Sequence, residues 1–387
     1  MTNEALEQFR NETREWLATN VPASLRDLPN GEAPICWGGR KWVFHSDDQR
    51  IWLERMAARG WTAPEWPRAY GGGGLSAEEA QVLCEELERI KAVAPLRSMG
   101  IWNLGPALLK YGTEQQKQEH LPPIVRGEIR WAQGFSEPGA GSDLAGLQTR
   151  AIDDGDEFIV NGAKIWTTDG DKSDAMFALV RSEPDAPKHL GITFLLLDMS
   201  APGVSTRPIK LIAGDSPFTA TFFDDVRVPK RNIVGRRGGG WEVARLLLQH
   251  ERAMMGSSPM LPKESLSSVA LRTLGTEGLA REPALRADVL QYELEAWAMA
   301  IALERSGDLA AAGLLPPTLP SVLKVAGSEL KKRRVELAMS LGGADATPAA
   351  TREAFDWLYA PVSTIAAGTN EIQLNILAKR ALGLPGT

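Results

Sequence analysis

Hydrophobic spacing changes period twice along this 387-residue chain, and that change constrains its fold more than any single residue does. Up to about residue 128, apolar residues recur at helical intervals, as in Leu6, Phe9, Trp16 and Leu17, and again in Ile51, Trp52, Met56 and Ala57. Ser76 with Glu79 and Thr113 with Gln116 read as capping boxes, each placed just after glycines (Gly71 to Gly74, and Gly112) that interrupt the chain. Between about 131 and 235, β-formers take over. Phe158-Ile159-Val160 lies between the turn signals Asp154-Gly155 and Asn161-Gly162, while Ile192 to Leu197 and Thr219 to Phe223 favour extended backbone. From Trp241 onward helical periodicity returns near 241–256, 282–305, 319–341 and 369–382, with breaks such as Leu314-Leu315-Pro316-Pro317 between. The expected architecture is α+β and multidomain: an N-terminal α-helical domain (1–128), a middle β-barrel-like domain (129–235) and a C-terminal four-helix bundle (236–387).

Charge and cysteine usage exclude several classes of function. With 43 basic against 49 acidic residues the net charge is -6, so neither nucleic acid nor an anionic membrane is indicated as the main partner. Cys36 and Cys84 are isolated, which supports neither a disulfide framework nor a thiolate metal site. The acidic start Thr2-Asn3-Glu4-Ala5 lacks an apolar signal core, and no stretch approaches the roughly 20 apolar residues of a membrane span. A cytoplasmic protein is expected.

Two short segments carry chemistry. In Ser136-Glu137-Pro138-Gly139-Ala140-Gly141-Ser142-Asp143, small residues let backbone N–H groups approach an anion, and Ser142 adds a hydroxyl donor; by itself the stretch also reads as a tight turn. In Lys164-Ile165-Trp166-Thr167-Thr168, an indole and a hydroxyl lie two positions apart, a wall and a donor for a flat heterocycle, although a core tryptophan is the commoner fate.

Together these segments resemble the flavin-binding core of the acyl-CoA dehydrogenase family. Tyr111-Gly112-Thr113-Glu114-Gln115, Phe222-Phe223-Asp224-Asp225-Val226-Arg227-Val228-Pro229, Leu341-Gly342-Gly343 and Ala367-Gly368-Thr369-Asn370-Glu371-Ile372 resemble further segments of that family in their expected order. The resemblance implies FAD as cofactor and an acyl-CoA as substrate. It places Gln133, Phe135 and Ser136 among the flavin contacts, Ser142 near the phosphates of flavin or CoA, Trp166 beside the ring and Thr168 at its N5 edge. Arg272, Gly342, Gly343, Thr369 and Glu371 complete the implied cofactor set, and Arg252, Ala367 and Gly368 join Ser142 on the substrate side.

Dehydrogenation of an acyl thioester needs a base for the α-proton and donors for the thioester oxygen. Many family members carry a carboxylate just before the C-terminal Gly-Thr; here that position is Ala367, which cannot accept a proton, although its backbone N–H remains a donor. The isovaleryl-CoA dehydrogenase arrangement instead places the base on the first bundle helix, where Glu251 matches. Trp241, Ala244, Leu248, Glu251 and Met255 share one helical face, so Glu251 interrupts an apolar stripe; the sequence leaves open a base there or a structural ion pair. The small Ala367-Gly368 pair suggests a branched or bulky acyl group.

Two departures bear on assembly. An Arg-x-x-Phe-Gly segment and a Gln before Gly-Gly, which in the family reach a neighbouring subunit's FAD, are Arg272-Thr273-Leu274-Gly275 and Met339 here. A homodimer or homotetramer delivering electrons to an electron-transferring flavoprotein is the expectation, with a heteromer, a half-site subunit or an oxidase as alternatives.

Overall fold

A computed structural model describes residues 2–27, 35–214, 216–257, 264–343 and 351–385. Its contacts divide the chain into two units: Met1–Ile209 with Pro217–Leu247, and Lys210–Ser216 with Leu248–Thr387.

The first unit opens with helices α1 (Asn3–Asn20), α2 (Asp47–Ala58), α3 (Ala77–Arg89), α4 (Gly105–Tyr111) and α5 (Glu114–Val125). Both expected capping boxes form: Ser76 and Glu79 at α3, and Thr113 and Gln116 at α5, each satisfy two orphan donors of a first turn. Leu17 of α1, Val21 just after it, Trp52 and Met56 of α2, Trp61 beyond α2 and Leu83 of α3 form one apolar cluster. Beside it, Glu86 of α3 is almost wholly buried and receives Arg14 at 2.8 Å, Arg89 at 2.7 Å and Arg10 at 3.1 Å. Burial alone would raise its pKa; the bonds from Arg14, Arg89 and Arg10 overcome this and bring it down to about 2.

Seven strands follow: β1 (Trp131–Gly134), β2 (Arg150–Asp154), β3 (Glu157–Thr168), β4 (Ala175–Arg181), β5 (Ile192–Asp198), β6 (Val204–Pro208) and β7 (Phe218–Pro229). They form one curled sheet in the order β1-β4-β2-β3-β7-β6, with β5 paired to β4. β4 and β5 are covered on both faces. Phe177, Leu179, Phe194 and Leu196 pack with the helical side, while Met176, Ala178, Leu195 and Leu197 pack with Phe158, Val160 and Val226. This is why those strands read as continuous apolar runs instead of alternating ones.

Asn161-Gly162 is a correction to the sequence reading. It lies inside β3 at a register shift against β7, not at a hairpin turn. Gly162 takes φ 146°, and a Cβ there would sit 2.7 Å from the Thr149 Cα, so glycine serves close strand approach at a bulge. The Asp154-Gly155 turn does join β2 to β3, with Asp154 opposite Glu157.

Helix α6 (Gly240–Ser257) begins in the first unit. The second unit contains α7 (Leu266–Arg281), α8 (Pro283–Ala311), α9 (Leu319–Gly342), α10 (Arg352–Tyr359), α11 (Val362–Ile365) and α12 (Asn370–Ile376). Leu266, Ala270, Val289, Tyr292, Met299, Leu323, Leu330 and Leu337 make its core. The expected helices near 241–256, 282–305, 319–341 and 369–382 are present, but α7 is additional. Its pattern is broken at Gly275, which leaves helical backbone at φ 67° and ψ 175°. Among the described residues no helix is long and apolar enough to cross a membrane.

Candidate functional site

The site in the first unit is built on a second irregularity of β3. Between Lys164 and Thr167 the pairing with β7 shifts register, and Trp166 adopts φ 60° there. Its neighbours hold it: Lys164 and Thr167 point inward, and Thr167 accepts from Thr221 through its hydroxyl and from Thr219 through its carbonyl. The indole is left 52% exposed and meets the Phe218 ring edge-on at 5.9 Å. A bulky residue at positive φ is strained, and here the strain displays an aromatic face instead of burying it. Trp166→Gly is therefore expected to match or exceed the wild type in urea unfolding, by up to about 1 kcal/mol. A lowered midpoint would show that the indole supports the strand.

The small-residue loop lies alongside. Ser136 accepts at its carbonyl from the Ile165 amide at 2.9 Å, and Glu137 and Ala140 exchange backbone hydrogen bonds at 3.0 Å, closing the turn. Side chains added at Gly139 or Gly141 would meet no protein atom within 4 Å, and neither glycine has a positive φ. The fold itself does not require glycine at either position; what the glycines leave open is bare backbone. The hydroxyls of Ser136, Ser142 and Thr168 make no hydrogen bond within the described residues, and Ser142 is exposed. Gln133, on β1, is half-buried and accepts at Oε1 from Asn103 at 2.9 Å. The Phe135 side chain meets Phe177 and Phe194 edge-on, at 6.0 and 6.1 Å, inside the core, which leaves its main chain to face the loop.

Sequence reasoning missed what fixes this edge. The Lys164 Nζ lies 2.7 Å from Glu137 Oε1, with the lysine side chain fully buried and the carboxylate nearly so. Lys164 also donates to the Phe135 carbonyl, and Glu137 accepts from the Gln148 and Thr149 amides at 2.6 and 2.9 Å. Burial pulls the Lys164 amine down to about 8 against the pull of Glu137. Burial would raise the Glu137 carboxyl, but Lys164 and the Thr149 and Gln148 donors hold it below its ordinary value. The parity of Phe158, Val160 and Lys164 along β3 was the available signal, since all three lie on the inward face.

In the second unit, Ala367 and Gly368 form a left-handed turn at φ 55° and 87°. Gly368 takes φ 87°, a backbone conformation that favours glycine, so the room expected for a bulky substrate rests on Ala367. Thr369 caps α12, accepting from the Ile372 amide. Glu371 stands in the first turn, where its own amide and Thr369 lower its pKa. The turn is anchored to α9 by an unforeseen network: buried Lys324 donates to the Thr364 carbonyl and to Asn370 Oδ1 at 2.7 Å, and Asn370 donates to Glu329. Gly342 ends α9 and Gly343 is left-handed. Arg272 pairs with Glu264 of its own chain and is exposed. Glu251 and Arg252 belong to α6, and their side chains lie outside the described residues.

Three family descriptions match in succession: the acyl-CoA dehydrogenase N-terminal domain at residues 3–128, the middle domain at 132–226 and the C-terminal domain at 238–382. The chain belongs to the acyl-CoA dehydrogenase family. It is 35% identical to acyl-CoA dehydrogenase IpdE1 of Mycobacterium tuberculosis over 98% of both chains. With acyl-CoA dehydrogenase FadE34 of the same organism it shares 38% identity over 85% of this chain and 45% of that one. Among solved structures it superposes on the Tcur3481-Tcur3483 steroid acyl-CoA dehydrogenase with a TM-score of 0.76, 30% identity and coverage of 100% and 99%. The ChsE4-ChsE5 complex from Mycobacterium tuberculosis gives 0.73 and 30% at the same coverage. The acyl-CoA dehydrogenase reaction is an FAD-dependent dehydrogenation of acyl-CoA, and the protein is an oxidoreductase of that class. The exposed indole, bare backbone and unpartnered hydroxyls of the first unit suit a flat ring carrying an anionic tail.

Proposed function

We propose that this chain binds FAD and converts a bulky acyl-CoA to its 2,3-enoyl-CoA, with segments 1–128, 129–235 and 236–387 as its three working parts. The observation that carries the reading is Trp166, exposed on a strained bulge beside a loop of bare backbone. When bound, FAD supplies the acceptor for the hydride leaving the β-carbon. Trp166 walls the ring, the hydroxyls of Ser136, Ser142 and Thr168 and the Gln133 amide donate to its polar edges, and the Phe135 main chain contributes backbone. Arg272, Gly342, Gly343, Thr369 and Glu371 serve the remaining cofactor contacts.

Glu251 takes the α-proton. The Ala367 backbone N–H donates to the thioester oxygen, where negative charge grows as that proton leaves. Ser142, Arg252 and Gly368 help to hold the CoA ester. The acyl group is branched or bulky: Ala367 carries only a methyl where many relatives carry a carboxylate, and two solved structures 30% identical over the full chain include one described as a steroid acyl-CoA dehydrogenase. Electrons leave to an electron-transferring flavoprotein.

A second reading, a half-site subunit of a heteromer, is favoured by Leu274, which packs against the core of the second unit and presents no aromatic ring for stacking. Anaerobic mixing of the purified chain with straight, branched and polycyclic acyl-CoA thioesters tests both. Bleaching of bound flavin by the bulky thioesters is expected. Bleaching by straight chains alone rejects the bulky substrate, and a chain that binds no flavin when purified alone supports the half-site subunit. Rapid reoxidation of the reduced protein in air would identify an oxidase.

A further inference from the structure

The Glu137–Lys164 pair is unusual for its depth and for what it joins. An ion pair with one member fully buried is a poor source of net stability, because desolvation cancels much of the attraction. This one ties four backbone points together: the Phe135 carbonyl and the Gln148 and Thr149 amides directly, and the Ser136 carbonyl through the Ile165 amide next to Lys164. On one side of it runs the loop with Gly139, Gly141 and Ser142; on the other, two residues after Lys164, comes the bulge carrying Trp166. Arg181 braces the far end of the same loop, donating to the Ala145 carbonyl at 2.6 Å and the Leu147 carbonyl at 3.2 Å.

We propose that Glu137 and Lys164 are positioning residues for the flavin, locking the Ser136–Ser142 backbone and the Trp166 indole into one rigid edge. The inference rests on the flavin reading above. Neither side chain is free to touch a ligand: Lys164 is enclosed, and both Glu137 oxygens accept from the chain itself. Their effect passes through the geometry of the loop and the bulge. A preorganised edge binds its ligand without first losing loop entropy, so loosening it weakens affinity while leaving the fold in place.

The test compares wild type with Glu137→Gln/Lys164→Met, which removes both charges together and keeps one amide oxygen to accept from either the Gln148 or the Thr149 amide. Three quantities are measured: thermal unfolding of the cofactor-free protein, the dissociation constant for FAD from flavin fluorescence, and the 19F resonance of 5-fluorotryptophan at Trp166, assigned with Trp166→Phe. The expected result is near-wild-type unfolding, FAD affinity weakened at least about tenfold, and a shifted or broadened Trp166 resonance. An unmoved Trp166 resonance with FAD affinity within about threefold of wild type overturns the proposal. If the double variant does not fold, Glu137→Gln alone, whose lysine can shed its proton, is judged by the same criteria. A wild type that binds no FAD overturns the flavin reading itself, whereas wild-type binding retained in the folded variant overturns only the role of the pair.

Discussion

Glu251→Gln is expected to slow bleaching of bound flavin by acyl-CoA about 10²- to 10⁴-fold, the usual worth of a positioned general base. The α-proton of a thioester is weakly acidic, so the step needs a carboxylate in place as the hydride leaves. The position that carries one in many relatives is Ala367 here, in a left-handed turn at φ 55°. By sequence spacing Glu251 shares one helical stripe with Trp241, Ala244, Leu248 and Met255, which makes it the expected base. Gln keeps the shape and loses the basicity, so FAD binding and acyl-CoA affinity are expected to persist while the rate collapses. Stopped-flow absorbance under anaerobic conditions reads this directly. A Glu251→Gln protein that bleaches at the wild-type rate removes Glu251 as the base.

Glu86→Gln is expected to lower the free energy of unfolding by about 3 kcal/mol at pH 7. The carboxyl titrates at about 2 in the folded chain against 4.5 for the free group. Because the folded pKa is the lower one, its contribution is present above pH 4.5 and is lost as pH falls from there toward 2. The gap between wild type and variant should therefore shrink by roughly 1.4 kcal/mol between pH 7 and 3.5. Urea unfolding at both pH values measures it, and a gap that stays constant shows that the ionised carboxylate is not what Arg10, Arg14 and Arg89 hold in place.

Both numbers depend on residues whose chemical type was plain in the sequence but whose surroundings were not. Glu86 sits on a helix of mixed polarity, and the sequence offers no hint that three guanidinium groups converge on it, two of them from α1. The motif around Phe135 does not tell which way its ring points, and the ring turns toward Phe177 and Phe194. Side-chain direction at a strand end depends on what the neighbouring strands present, which motif spacing does not encode. Asn161-Gly162 carried a hairpin signal that the long β3–β7 pairing overrode by absorbing it as a bulge.

The sequence by itself determined the order of helices, sheet and helices, both capping boxes, the extended run at Ile192 to Leu197, and the family. These follow from local periodicity and from motifs that recur in order. Only the tertiary structure decided that Trp166 stands exposed at positive φ, that Lys164 and Glu137 meet in the interior, and that Lys324 anchors the Ala367 turn through Asn370. Each of these joins residues distant in the chain, and a buried charge is tolerated only where such a partner arrives.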